Sequence, residues 1–195
     1  MRLSFADAGL AVLDALEGVD AACLFVFEDQ RPLKGAAGYI DWRLCGGLSR
    51  ILVGGHFVGE RADALLFPTG GRLPFERIFC FGAGPRQALT PASFAAQVKR
   101  ACEAMSRAGS RAFVTELPAV PGMDDPAWAQ AFISEGAAHF AGERIVLLGD
   151  GKALARLFAQ AGDRMKGLKV DGEPIGATVM VPSSPKAGGG KSARR

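Results

Sequence analysis

The chain has 195 residues, 49% of them hydrophobic, with a formal net charge of +3; that is enough for one good core and falls within the usual size of a single domain. Lys186, Lys191, Arg194 and Arg195 lie in the last ten residues with no acid to offset them, so the body is close to neutral. A neutral body argues against an extended phosphate-tracking face of the kind nucleic-acid binders display.

A first weakly marked strand falls near Arg2 to Ala6. Apolar runs then recur at Ala21 to Phe27, Ala64 to Phe67, Arg77 to Phe81, Ala112 to Leu117 and Arg144 to Leu148. They are apolar at consecutive positions, which predicts strands covered on both faces by helices. Between the first two of these runs, Leu33, Ala37, Ile40, Leu44, Leu48 and Ile51 repeat at three and four residues. This predicts one amphipathic helix, with Asp41 on its polar side and Gly54-Gly55 as its stop. Thr90 and Pro91 mark a cap and first turn, Phe94, Val98, Cys102 and Met105 a buried stripe, and Gly109 an end. A third helix opens at Asp125-Pro126 and buries Phe132, Ile133, Gly136 and Phe140; a fourth runs from Lys152 to Ala161 with Leu154, Leu157 and Phe158 inward. A turn over Val170 to Pro174 and a last strand, Ala177 to Val181, complete a domain spanning 1–182. Ser183 to Arg195 has no large apolar anchor and is expected to be a disordered basic tail. Strands alternating with helices define an α/β protein.

Cys23, Cys45, Cys80 and Cys102 form no C-x-x-C pair and read as reduced core residues. Neither His56 nor His139 has a second ligand at helical spacing, so no metal site and no cofactor is expected. With no secretory leader and no apolar run of membrane-spanning length, the expected location is cytoplasmic. Ser49, Ser93, Ser106 and Ser134 fall in helical segments without a nucleophile elbow. Glu116, Asp124 and Asp125 cluster around a Pro-rich loop and read as solvated and capping groups. Trp42 and Trp128 fit either an interface or a half-buried core position.

Two glycine turns are the candidate ligand-binding residues. Gly82-Ala83-Gly84-Pro85-Arg86 follows a buried strand and precedes the helix capped by Thr90; its N–H groups and Arg86 suit a phosphate or carboxylate. A third glycine is missing and Pro85 removes a donor, which favours a structural turn. Gly149-Asp150-Gly151-Lys152 also joins a strand to a helix, with Asp150 as its N-cap and Lys152 lacking P-loop spacing. If both turns share one edge of a parallel sheet, they border one crevice, the usual ligand position in open α/β folds.

An ordered series of motifs runs through Glu28-Asp29-Gln30-Arg31-Pro32-Leu33, Gly46-Gly47-Leu48-Ser49, Phe57-Val58-Gly59-Glu60, Leu65-Leu66-Phe67-Pro68-Thr69 and Arg77 to Arg86, ending at Leu89-Thr90. In order and spacing, from about Ala21 to Leu148, the chain resembles the N-terminal domain of leucyl aminopeptidases. The resemblance implies a macro-domain-like, three-layer αβα fold with a mixed, mostly parallel sheet, and a domain that helps assemble a hexamer. In that family catalysis belongs to a C-terminal domain whose carboxylates and lysine hold two metal ions, and its Asn-Thr-Asp-Ala-Glu-Gly-Arg motif has no counterpart here. The expectation is therefore a non-catalytic module of assembly or regulation, with a protein partner or a second copy of itself. One alternative is a module binding a nucleotide or ADP-ribose-like ligand at the glycine turns. Another is a DNA-binding accessory role through the tail, since some full-length relatives bind DNA; the neutral body gives it little support.

Overall fold

A computed structural model of the chain describes residues 1–122, 126–162, 169–171 and 175. Seven strands form one sheet in the order β3-β4-β2-β5-β6-β1-β7: β1 (Arg2–Asp7), β2 (Ala21–Phe27), β3 (Ala64–Pro68), β4 (Arg77–Gly84), β5 (Ala112–Glu116), β6 (Arg144–Gly149) and β7 (Lys169–Val170). Every pairing is parallel except β3 with β4. The α/β class and the mixed, mostly parallel sheet expected from the sequence are therefore present.

Successive side chains on the central strands enter different cores. Cys23, Phe79, Phe81, Ile145 and Leu147 join one cluster; Ala22, Leu24, Ile78, Cys80, Val146 and Leu148 join the other. This is why those runs are apolar at every position. The first cluster is covered by α4 (Pro91–Arg107), α5 (Pro126–His139) and α6 (Gly151–Gly162), and it is rich in rings. Phe94 packs 5.6 Å from Trp128, and Phe132 lies edge-on to Phe158 at 6.0 Å, separations at which aromatic pairs attract beyond their buried area. Trp128 is thus a core residue. The second cluster lies under α1 (Leu10–Asp14), α2 (Gly35–Arg43) and α3 (Gly47–Val53).

Four expectations need correction. The single helix over Leu33 to Ile51 is two, because Cys45 and Gly46 adopt left-handed φ angles of 54° and 76° and break it. Asp41, read as a polar-face residue, is buried there and caps α3: its carboxylate accepts from Leu48 N at 2.8 Å, Ser49 N at 3.1 Å and Ser49 Oγ at 2.5 Å. The turn leaves Cys45 exposed, unlike the three buried cysteines. The run Ala64 to Phe67 is an edge strand covered on one face only: Leu65 and Phe67 pack inward while Leu66 opens to solvent.

The weakly marked first strand is interior, lying between β6 and β7. Its Leu3 and Phe5 enter one core, and buried Ser4 is satisfied by donating to Asp171 at 2.7 Å. Helix α4 begins as expected, with Thr90 and Ser93 forming a reciprocal capping box and Pro91 in the first turn. The last strand at 177–181, residues 172–174 of the turn and the tail at 183–195 lie outside the described residues.

Candidate functional site

Parallel strands end at one edge, so the connections after β1, β2, β4, β5 and β6 gather there. The two glycine turns stand at this edge as expected, but β2 and β5 separate β4 from β6. At the usual spacing between strands the turns are about 14 Å apart.

Their N–H groups have partners within the chain. Gly82 N donates to Asp63 O at 3.1 Å and Gly84 N to Gly59 O at 2.9 Å, while the Gly84 carbonyl accepts from Glu28 N. The glycines make room for the 57–63 loop. A Cβ on Gly82 would lie 2.6 Å from the Glu60 carbonyl carbon, and one on Gly84, at φ +73°, 2.9 Å from Arg61 Cγ. Ala83 is buried, and its carbonyl accepts from the Gln97 amide at 3.3 Å. Arg86 N donates to both Asp29 carboxylate oxygens, at 3.0 and 3.1 Å. At the second turn Asp150 caps α6 by accepting from Ala153 N at 2.9 Å, as the sequence predicted, and Gly151 N donates to Asp7 at 3.0 Å. The Gly149 carbonyl accepts from Ala8 N at 2.9 Å, and Lys152 is exposed.

A third carboxylate completes the pattern. Glu116, the last residue of β5, accepts from Ala36 N at 2.6 Å in the first turn of α2. A Cβ on Gly35 would meet the Glu116 carboxyl carbon at 2.8 Å, so only glycine lets the acid sit there. Burial raises the Glu116 pKa, opposed in part by the Ala36 N–H. Glu116 is thus a capping group, as expected, but a half-buried one. The sequence could not show which helix it caps, because the two partners are 80 positions apart. Asp124 and Asp125 lie outside the described residues.

Glu116 also stands between two cavities. A small one of about 70 Å³ lies on the β2–α2 side, bounded by Phe25, Leu33 and Gly35. A larger one of about 530 Å³ joins Arg86 to Gly149, with Leu117, Val120, Leu148 and Leu154 in its walls. Of the candidate residues in the two turns, Arg86 and Gly149 line this cavity and Gly82, Ala83, Gly84, Asp150, Gly151 and Lys152 do not; the sequence reading did not include Glu116 as a lining residue.

The other singled-out groups are engaged elsewhere. Ser49 is bound to Asp41, Ser93 belongs to the capping box, Ser106 Oγ donates to the His139 carbonyl and Ser134 Oγ to that of Ala131. His56 is exposed, and His139 lies between Glu103 at 3.6 Å and Glu135 at 3.2 Å. Among the described residues no three His, Cys, Asp or Glu side chains form a metal-sized group, and no helix is long and apolar enough to cross a membrane.

Comparison with known proteins gives a consistent picture. Residues 23–141 match the cytosol aminopeptidase family, N-terminal domain. Among solved structures, a variant of tomato leucine aminopeptidase aligns with a TM-score of 0.56 at 18% identity, covering 83% of this chain and 35% of that one. A Trypanosoma brucei macrodomain in complex with ADP aligns at 0.59 and 11% identity, covering 83% and 69%. The macrodomain of Thermus aquaticus DarG aligns at 0.56 and 13%, covering 76% and 99%. The chain therefore spans about a third of the plant enzyme and nearly all of a macrodomain. No curated protein matches the sequence.

Proposed function

This chain belongs to the cytosol aminopeptidase family through its N-terminal domain, and from that premise we propose that it serves as a non-catalytic assembly module that pairs with a second copy of itself. The observation that carries the reading is the free edge at β3. This strand pairs only with β4 among the described residues and exposes Leu66 to 56%; Val53, at the end of the adjoining α3, is 90% exposed. An open strand edge offers unpaired N–H and C=O groups to another chain. Antiparallel pairing of two such edges about a twofold axis satisfies both copies with the same contacts, which is the isologous arrangement of most homodimers.

Sedimentation velocity of the wild type and of Leu66→Lys tests it. The wild type is expected to dimerise at tens of micromolar and the variant to remain monomeric. A wild type that stays monomeric throughout would rule the reading out. Peptidase assays with added manganese or zinc are expected to give background rates, and turnover above background would contradict the non-catalytic part.

A second reading is favoured by one observation, the cavity of about 530 Å³ that joins Arg86 to Gly149. Its volume and largely apolar walls with few polar groups are those of small-molecule sites. In this reading the domain carries a ligand at the C-terminal edge of its sheet, and a saturable thermal shift with a small molecule is the test.

A further inference from the structure

We propose that the cavity between β4, β5 and β6 takes an α-amino acid with an aliphatic side chain, its ammonium on Glu116 and its carboxylate on Arg86. The inference rests on the ligand-binding reading of this cavity and names the ligand class. It is independent of pairing at β3.

The case begins with what the edge has no means to hold. A phosphate or diphosphate needs N–H donors and an excess of positive charge. Here Ala36 N is bound by Glu116, Arg86 N by Asp29, Gly151 N by Asp7 and Ala153 N by Asp150. Four N–H groups along this edge are thus already taken by carboxylates of the chain, and of those carboxylates Glu116 lines the cavity. A polyanion in the cavity would face the Glu116 carboxylate, with Arg86 as the only basic residue of the wall among the described residues.

A zwitterion matches the wall as it stands. Among the described residues the lining contains one cationic side chain, Arg86, and one carboxylate, Glu116, and no ion pair joins them. Glu116 uses Oε2 for Ala36, and no described residue donates to Oε1. Burial disfavours the charged form of this carboxyl, a cost that an ammonium beside it would relieve. The same wall has aliphatic side chains, among them Leu117, Val120, Leu148 and Leu154. It offers apolar contact and no ring to stack on. Glu116 is anchored by the first turn of α2, and Arg86 follows a turn pinned by Asp29, so both charges come from positioned backbone.

The test is calorimetric titration of the full chain with L-leucine, N-acetyl-leucine, leucinamide and ADP-ribose. Leucine is expected to bind saturably, and each analogue at least tenfold more weakly, because one lacks the ammonium and the other the carboxylate. Glu116→Gln should weaken leucine at least tenfold while leaving N-acetyl-leucine unchanged. Arg86→Met should remove the difference between leucine and leucinamide; both variants are checked for wild-type circular dichroism. Equal binding of all three leucine compounds would overturn the assignment of the two charges. Saturable ADP-ribose binding without leucine binding would overturn the amino-acid inference and leave the ligand-binding reading standing. Binding of neither would remove both.

Discussion

Replacing Gly82 by alanine separates a packing glycine from a ligand-binding one. The new Cβ would lie 2.6 Å from the Glu60 carbonyl carbon and 2.7 Å from that of Gly59, both backbone atoms that no side-chain rotation can move away. Relief requires lifting the 57–63 loop, which Arg31 holds through the Val58 carbonyl at 2.9 Å and Arg100 holds through the carbonyls of Arg61 and Ala62. Lifting it breaks the bonds from Gly82 N to Asp63 O and from Gly84 N to Gly59 O. Each is worth about 1 kcal/mol, and crowding into a packed region adds about 1–3 kcal/mol. The expected loss is therefore about 3–5 kcal/mol, a fall in Tm of roughly 6–20 °C for a domain of this size. Urea and thermal denaturation followed by circular dichroism measure it. A variant within about 0.5 kcal/mol of wild type, the range of an unremarkable surface change, would refute the packing account and return the turn to a ligand role.

Further outcomes follow from single features. Asp41→Ala should cost about 2–3 kcal/mol in chemical denaturation, since it removes a buried charged acceptor from three donors. Thr90→Ala should cost about 1 kcal/mol by loss of the α4 cap. A thiol reagent should modify one cysteine per native chain, Cys45, and four after denaturation; burial pushes the Cys80 and Cys102 thiols up to about 12 and Cys23 well above its usual value. Because burial raises the folded-state pKa of Glu116, its ionised form is a stability penalty. That penalty is present above the raised pKa and is relieved as pH falls through it toward the unfolded value. Glu116→Gln should therefore raise Tm at neutral pH, with the gain shrinking toward pH 4.

What could be read in the sequence was local. Thr90, Pro91 and the Phe94 stripe define α4 from within a few residues, and Asp150 announces itself as a cap by its position before α6. The strands buried on both faces announced themselves because no position in them tolerates water. What escaped was set by contacts distant along the chain. The apolar repeat runs straight through Cys45, and nothing in it shows that the Asp41 carboxylate will be withdrawn to start a new helix. β1 looked weak because Ser4 interrupts it, yet Asp171, 167 positions away, satisfies that hydroxyl inside the sheet. At the candidate site the glycines were legible and their purpose was not. Gly82 and Gly84 meet the 57–63 loop, Gly149 and Gly151 meet Ala8 and Asp7 of the first strand's end, and Glu116 reaches the first turn of α2 from β5.

Hydrogen exchange at the β3 amides, followed over a dilution series of the wild-type chain, tests pairing at this edge most directly. The account predicts that Ala64 to Phe67 become more protected as concentration rises, with little change at the interior strands β2 and β5. Exchange at β3 that is fast and independent of concentration would contradict it.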